Sequence, residues 1–189
     1  MSKFLIVGLG NIGDEYVNTR HNIGFEMVDA FAASKDVVWE DRRYGFIGRC
    51  RVKNAEIVLL KPSTFMNLSG NAVRYWLNNE KIPVENMLVC VDDLNLPFGT
   101  IRIRKQGSNG GHNGLGHIQS VLGTDSYARV RFGIGNEYTR GTQINFVLGQ
   151  WTDEEKKIIA EKMEVMKEII PSFCLQGIDR TMNQYNSRK

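Results

Sequence analysis

The side chains best suited to acid–base chemistry in this sequence are a histidine and an aspartate that each follow an apolar run. His21 lies in a polar stretch after Phe4–Val7, and Asp92 comes directly after Met87–Val91. Imidazole can accept a proton from water near neutral pH. A neighbouring carboxylate would fix the imidazole tautomer and stabilise the imidazolium, as it does in catalytic triads. If the fold brings these two residues together, they predict a general base with an orienting carboxylate.

Two amide side chains also follow predicted strands. Asn11 comes after the first strand, and Asn67 comes after a predicted hairpin. In a sheet whose central strands are parallel, the carboxyl ends of the strands meet at one edge, where α/β proteins bind ligands. We therefore expect both amides near His21 and Asp92. There, Asn67 and loop amides could donate hydrogen bonds to a developing oxyanion.

Each of these residues also has a simpler interpretation. A single histidine in a loop, such as His21, is most often a surface residue. Asp92 and Asp93 could form a turn or cap a helix, and Asn67 could cap the helix predicted to follow it. His112, which lies beside a glycine pair, could pack a loop rather than serve as a second base. Residue type and spacing alone leave these alternatives open.

Sequence motifs of several other catalytic classes are absent. The chain has neither the G-x-S-x-G motif of serine hydrolases nor the G-x-x-x-x-G-K-[ST] phosphate loop. It also lacks H-E-x-x-H and any other plausible set of metal ligands. Nucleophilic serine and metal-dependent hydrolysis are therefore not supported, and we expect neither a metal nor a cofactor.

The glycines of the first loop spell a dinucleotide-binding pattern, G-x-G-x-x-G, over Gly8–Gly13. That pattern requires a helix to begin at once, so that its amide end can hold a pyrophosphate. Here Asp14–Asn22 shows no helical repeat, and the helix is predicted to begin near Gly24. The acidic residue expected further on would be Asp29, which falls inside that helix. Glycines that shape a substrate loop fit better, so an NAD-dependent oxidoreductase is the minority interpretation.

Composition predicts an ordinary globular protein with one domain over residues 1–189. Hydrophobic residues make up 42% of the 189 positions and charged residues 24%. The net charge of +3 is too small to indicate nucleic-acid binding by itself. Three widely spaced cysteines without a C-x-x-C pair predict reduced thiols in a cytoplasmic protein. No apolar stretch has the length of a membrane span or of a signal-peptide core.

Hydrophobic periodicity predicts strands that mostly alternate with helices, with one hairpin across Asn54. This order indicates an α/β fold, a three-layer α/β/α domain with a twisted, mostly parallel mixed sheet. The predicted strands are Phe4–Val7, Val37–Trp39, Tyr44–Val52, Glu56–Leu60, Met87–Val91, Thr100–Arg104 and Tyr127–Ile134. Helices are predicted from near Gly24, from near Ser69, over roughly Asn113–Leu122, and after a capping box at Thr152. The last of these is expected to end at Pro171, before a final helix and a basic tail at Arg188 and Lys189.

Basic residues are concentrated in one part of the chain. Between Phe98 and Ile134 they are opposed only by Asp125, and four of them alternate along two predicted strands. Such a strip could hold phosphates of a nucleic acid. A solvated sheet face with scattered charge is an equally open interpretation. The basic residues are Arg102, Arg104, Lys105, Arg129 and Arg131.

Four stretches in order resemble the signature motifs of bacterial peptidyl-tRNA hydrolases. The first is GLGNIGDEYVNTRHNIGF, which ends at Phe25. The others are KPSTFMNLSG at Lys61–Gly70, VDDLNLPFG at Val91–Gly99 and GSNGGHNGL at Gly107–Leu115. One departure is Ile12, where the family commonly has proline. That difference affects the stiffness of the loop and removes no functional group.

The resemblance implies an esterase that cleaves the bond between a peptide, or an N-blocked amino acid, and the terminal ribose of tRNA. The implied catalytic residues are His21, Asp92 and Asn11. The implied substrate-binding residues are Tyr16, Phe65, Asn67, Asn113, Arg104 and Arg131, the two arginines holding the acceptor-stem phosphates. Without the resemblance, the two aromatic residues would more often belong to a core.

The partner that the resemblance implies is peptidyl-tRNA, bound through its acceptor stem and 3′ end. No cofactor or metal is implied, no membrane is involved, and nothing in the sequence indicates an obligate protein partner. The alternative is an RNA-binding or splicing factor without catalytic activity on the same scaffold, because fold alone does not decide function. The presence of His21, Asp92 and Asn67 together favours the enzyme, since a protein that only binds RNA has no need of a base–carboxylate pair.

Overall fold

Seven strands form one sheet in the computed structural model, which describes residues 2–136 and 142–187. The strands are β1 (Ser2–Gly8), β2 (Glu40–Arg42), β3 (Gly45–Val52), β4 (Ala55–Pro62), β5 (Met87–Asp93), β6 (Ile101–Arg104) and β7 (Ala128–Gly133). The helices are α1 (Ile23–Ser34), α2 (Ser69–Glu80), α3 (Asn113–Leu122), α4 (Gln143–Val147), α5 (Asp153–Gln176) and α6 (Ile178–Tyr185).

The strand order is β2-β3-β4-β1-β5-β7-β6. The three central pairs, β4–β1, β1–β5 and β5–β7, are parallel, and the outer pairs are antiparallel. The predicted α/β class and mixed sheet are therefore confirmed. The parallel centre has a direct consequence for the site, because β1, β4, β5 and β7 all end at the same edge of the sheet.

Alternate residues of β1 point into two separate cores. Phe4 and Ile6 pack with α1 and α5 on one face of the sheet, whereas Leu5 and Val7 pack with α2 and α3 on the other. A strand covered on both faces must be apolar throughout, which explains the continuous hydrophobic run in the sequence. The result is three layers, with the sheet between two layers of helices.

Two predicted elements are wrong in detail. Val37–Trp39 is not a strand, and the short edge strand β2 begins at Glu40. Val37 and Trp39 are apolar because they pack over Gly48, where an added Cβ would lie 2.4 Å from the Val37 side chain. Pro171 does not end its helix, and α5 continues to Gln176. The proline removes one helical hydrogen bond, but the flanking Ile170 and Phe173 are buried in the core and hold the helix in place.

Other predictions agree closely with the structure. Helix α3 spans Asn113–Leu122 as predicted, α2 begins at Ser69, and Thr152 forms the predicted capping box. Helix α4 was not predicted, because five residues are too few to show a helical repeat. The predicted tail at Arg188 and Lys189 lies outside the described residues. Within the described ranges, no helix is long and apolar enough to cross a membrane.

Candidate active site

His21 and Asp92 are in direct contact at the edge of the sheet where the parallel strands end. His21 lies in a 3₁₀ turn that leads into α1, and Asp92 is the next-to-last residue of β5. The Nδ1 atom of His21 is 3.0 Å from both carboxylate oxygens of Asp92. Since Nδ1 donates its proton to the carboxylate, Nε2 is the nitrogen with a lone pair. The arrangement is therefore that of a general base and its orienting carboxylate.

Burial and charge oppose each other in this pair. Burial by itself lowers the pKa of His21, but the negative charge of Asp92 and its hydrogen bond more than compensate, so the net shift is upward. Burial would raise the pKa of Asp92, but attraction to His112 and His21, together with hydrogen bonds to both, lowers it well below its usual value. Asp92 is therefore a carboxylate throughout the neutral range, and it strengthens His21 as a base.

A close approach of backbones places His21 beside Asp92. A Cβ at Gly24, in the first turn of α1, would lie 2.4 Å from the carbonyl oxygen of Cys90 and 2.5 Å from that of Leu9. Only glycine therefore allows the helix to begin directly against the ends of β1 and β5. Because His21 precedes this turn, the same contact delivers its ring to the carboxyl end of β5.

Asn11 connects the first loop to the loop between β4 and α2. Its backbone N–H donates to Asn22 Oδ1 at 2.7 Å, and Asn22 Nδ2 donates back to the Asn11 carbonyl at 2.8 Å. The side-chain oxygen of Asn11 accepts from the N–H of Met66 at 3.0 Å. Because that oxygen already has a donor, the amide nitrogen Nδ2 is the group that Asn11 can offer to a substrate.

His112 is a third residue in contact with this pair, and the sequence analysis did not place it there. Its Nε2 lies 2.8 Å from Asp92 Oδ1. Its Nδ1 accepts from the backbone N–H groups of Gly114 and Leu115, so that His112 is the N-cap of α3. The signal in the sequence was its place directly before a predicted helix, where a side-chain acceptor is favoured.

A cleft beside the pair contains some of the predicted site residues and not others. Its lining includes His21, Asp92, Asn113 and Arg131 from the predicted set. His112 and the glycine pair beside it also line the cleft, as do Asp93, Leu115 and residues of α4. Four other predicted residues, Asn11, Tyr16, Phe65 and Asn67, are not among those that line this cleft, and neither is Arg104 in β6.

Those four residues lie on the loops that follow β1 and β4. Tyr16 is half-buried in a 3₁₀ turn, and Phe65 is 70% exposed, so it is not a core residue. Asn67 is exposed in the 3₁₀ turn Met66–Leu68. It does not cap α2, which begins after Leu68 without a side-chain capping bond. Their roles in substrate binding stay predictions.

Of the five residues of the predicted basic strip, Arg104 and Lys105 are exposed, Arg102 and Arg131 are half-buried, and Arg129 is buried. Arg129 is 1% exposed and donates to the backbone oxygens of Gly107, Asp125 and Tyr127. It therefore fixes loops and cannot belong to an exposed strip. Its cross-strand partner, Arg104, is exposed at the end of β6.

Arg131, the other arginine predicted to hold phosphates, is already engaged. It donates to Asp93 Oδ2 at 3.2 Å and to the Ser108 carbonyl at 2.7 Å. Asp93 therefore neutralises part of the charge of Arg131, whereas Asp92 contacts the two histidines. A phosphate bound by Arg131 would have to share it with Asp93. The position of Arg131 in the cleft wall nevertheless keeps it close to the proposed base.

Among the described residues, His21, Asp92 and His112 also bring potential metal-ligand atoms within 4.8 Å of one another. A metal-bound histidine nitrogen must have a lone pair. The Nδ1 atom of His112 accepts two backbone hydrogen bonds, so the ring proton must be on Nε2, the atom that faces Asp92. The three side chains therefore form a hydrogen-bonded chain rather than a set of metal ligands.

Comparisons with known proteins agree with this geometry. Residues 5–189 match the family model described as peptidyl-tRNA hydrolase. A peptidyl-tRNA hydrolase of Bacteroides fragilis is 60% identical over 98% of this chain and 100% of its own length. One from Porphyromonas gingivalis is 59% identical over 97% of this chain and its full length. The crystal structure of an Acinetobacter baumannii peptidyl-tRNA hydrolase has a TM-score of 0.93, with 32% identity over 98% of this chain and 95% of that one.

Proposed function

Because the chain belongs to the peptidyl-tRNA hydrolase family, we propose that it hydrolyses the ester bond between a peptide, or an N-blocked amino acid, and the 3′-terminal ribose of tRNA. The observation that carries this proposal is the contact between His21 Nδ1 and Asp92, which leaves Nε2 as a base at the wall of a cleft. The reaction returns the tRNA with its ribose hydroxyl free.

In the proposed mechanism, His21 Nε2 removes a proton from water as the water oxygen attacks the ester carbonyl. Asp92 stabilises the imidazolium that forms, because its negative charge lies 3.0 Å from Nδ1. Amide donors on the nearby loops, with Asn67 as the predicted side-chain donor, stabilise the oxyanion. When the intermediate collapses, His21 returns the proton to the ribose oxygen as this oxygen leaves. No covalent enzyme intermediate is needed.

The alternative of an RNA-binding protein without catalysis has no support among the relatives, which are peptidyl-tRNA hydrolases. The direct test is release of N-acetylated amino acid from N-acetyl-aminoacyl-tRNA by the purified chain, in buffer with and without a chelator. We expect multiple turnovers in both buffers. Tight tRNA binding without product release would instead identify a binding protein, and activity lost in chelator would contradict the mechanism in which His21 activates water directly.

Asn11 is predicted to favour blocked over free aminoacyl substrates. Its Nδ2 can donate to the carbonyl of a peptide or N-acyl group, which a free aminoacyl ester lacks. One neutral hydrogen bond is worth about 0.5–1.5 kcal/mol, or roughly a few-fold to tenfold in rate. We therefore expect Asn11→Ala to narrow the ratio of kcat/KM for N-acetyl-aminoacyl-tRNA over aminoacyl-tRNA, mostly through lost activity on the blocked substrate.

Asn11→Asp is the matched variant for this measurement. An aspartate keeps an acceptor for the N–H of Met66 but replaces the amide donor by a negative charge. That charge attracts the ammonium group of a free aminoacyl ester, so the ratio should fall further than in Asn11→Ala. If both variants lose activity equally on the two substrates, Asn11 shapes the loop and does not select the substrate. Asn113 is then the next candidate.

Arg104 and Arg131 are predicted to hold phosphates of the acceptor stem. We expect Arg104→Ala to raise KM for full-length tRNA substrate and to reduce the slope of log affinity against log salt by about one for each lost phosphate contact. Arg131→Ala should also raise KM, but it releases Asp93 and Ser108 as well. The single Arg104 variant is therefore the cleaner test.

Two comparisons complete this experiment. A minimal ester without the acceptor-stem phosphates should react equally well with Arg104→Ala and with the unchanged protein. Arg51→Ala is the matched control, since Arg51 is an exposed strand arginine near the end of β3 that lies away from the cleft. Equal losses on the full-length and minimal substrates would show that Arg104 does not act through phosphates.

A further inference from the structure

We infer that His112 is a positioning residue whose role as a helix cap fixes its ring as a permanent donor to Asp92, and that this donation sets the strength of His21 as a base. The inference rests on the proposed function and adds to it a residue that tunes the reaction without touching the substrate. It follows from the hydrogen-bond partners of both nitrogens of one ring.

The first step concerns the tautomer of His112. Its Nδ1 lies 3.1 Å from the N–H of Gly114 and 3.3 Å from the N–H of Leu115, at the start of α3. Backbone N–H groups can only donate, so Nδ1 must accept and carries no proton. The ring proton is therefore on Nε2, which is 2.8 Å from Asp92 Oδ1. The helix end thus determines which way the imidazole donates.

The second step concerns Asp92, which two histidines share. Oδ1 accepts from His112 Nε2 at 2.8 Å and lies 3.0 Å from His21 Nδ1. A hydrogen bond to a carboxylate stabilises its charged form. The hydrogen bond from His112 therefore makes Asp92 a weaker acceptor for the Nδ1 proton of His21. Asp92 raises the pKa of His21, and His112 limits that rise, so that neutral His21 is available at a lower pH.

The other charged groups of the cleft wall do not replace this donation. Asp93 is bound by Arg131 and by the N–H of Asn95, so it forms an ion pair of its own. His112 also lines the cleft, but both of its ring nitrogens already have partners, Asp92 on one side and the start of α3 on the other, so it acts by supporting Asp92. Removing its donation should consequently change the pH dependence of the reaction more than its maximal rate.

The test compares His112→Asn with His112→Ala. Asparagine is a favoured N-cap and keeps the start of α3, but it is too short to bridge to Asp92 as well, whereas alanine loses both roles. In both variants we expect the acid limb of kcat/KM against pH to move upward by roughly 0.5–1 unit. On the alkaline plateau we expect rates within about threefold of the unchanged protein, far from the 10²-fold loss of a removed general base.

Three outcomes would overturn the inference. An unmoved acid limb in His112→Asn would show that His112 is only a helix cap. A loss of roughly 10²-fold or more at every pH would show that it takes part directly in proton transfer. The third uses the unchanged protein and needs no substrate: ¹⁵N NMR should show an unprotonated Nδ1 and a protonated Nε2 in His112, and a protonated Nδ1 would contradict the fixed tautomer.

The NMR result also separates this inference from the proposed function. If the unchanged protein fails to hydrolyse N-acetyl-aminoacyl-tRNA, the proposed function is wrong, and the tautomer of His112 can still be read. One further group must be controlled in the pH profile, because burial raises the pKa of Glu26 to about 7. Glu26→Gln should leave the acid limb in place.

Discussion

His21→Ala is expected to lower kcat for N-acetyl-aminoacyl-tRNA by about 10²–10⁴-fold, the usual contribution of a general base. The reason is that the variant removes Nε2, the one nitrogen of the His21–Asp92 pair that can accept a proton from water. KM should change little, because the substrate is held by other groups. The measurement is single-turnover and steady-state hydrolysis, with tRNA affinity determined in parallel.

His117→Gln is the matched control for this substitution. His117 is a histidine outside the cleft wall, and its Nδ1 accepts from the N–H of Gly70 at 2.9 Å. Glutamine keeps an acceptor there, so activity should remain close to that of the unchanged protein. Thermal unfolding of both variants shows whether the fold is kept. Near-normal turnover in His21→Ala would place the base elsewhere and end the proposed mechanism.

The pH dependence has a definite sign. His21 must be neutral to accept a proton, and Asp92 outweighs burial to hold the pKa of His21 above its usual value of about 6.5. Activity is therefore expected to fall as the pH drops through that raised value. Stability moves in the opposite direction, since the charged pair contributes stability below the unfolded-state pKa of His21 and loses it as the pH rises through the folded-state value.

Much of the fold follows from local sequence patterns. The run Phe4–Val7 is apolar throughout, because β1 is covered on both faces, and this pattern identifies a central strand. Helix α3 has both a periodic apolar face and a glycine at its end, so its approximate limits could be predicted. Pro171 misled the prediction, because the local preference of proline was outweighed by the buried residues around it.

The contact between His21 and Asp92 could be predicted, because His21 lies in the loop after β1 and Asp92 at the carboxyl end of β5, and these two strands are parallel. The position of His112 could not be predicted, because it depends on a contact with Asp92, which lies 20 residues earlier in the sequence. The burial of Arg129 could not be predicted either. Alternation along a strand shows which residues share a face, but it does not show which face a loop covers. Such tertiary contacts leave no periodic signal.

Asp92→Asn is expected to lower kcat, but by less than His21→Ala does, because it favours the wrong tautomer of the base without removing the imidazole. The fixed proton of His112 determines how the new amide is oriented. Because His112 Nε2–H needs an acceptor at the Oδ1 position, the amide oxygen must occupy it. The amide nitrogen then takes the position of Oδ2, which is 3.0 Å from His21 Nδ1.

At that position the amide N–H can donate to His21 Nδ1, and the amide oxygen at the Oδ1 position, also 3.0 Å from Nδ1, is a weaker acceptor than a carboxylate and is already bonded to His112. We therefore expect the ring proton of His21 to move to Nε2. Nε2 then carries a proton where it should accept one, and the attractive charge that raised the pKa of His21 is gone. ¹⁵N NMR of the variant should therefore show His21 protonated on Nε2, with a lower pKa than in the unchanged protein. An unchanged His21 tautomer together with the rate loss would refute this explanation.

The double variant His21→Ala with Asp92→Asn decides whether the two residues act as a unit. If Asp92 acts only through His21, removing the carboxylate from a protein that already lacks the imidazole should lower kcat little further, because no imidazolium is left to orient or stabilise. The double variant should then be within about threefold of His21→Ala alone, whereas independent contributions would multiply. Multiplied losses would mean that Asp92 also acts on the substrate or on water directly. Its 4% exposure and its engagement by both histidines argue against that role.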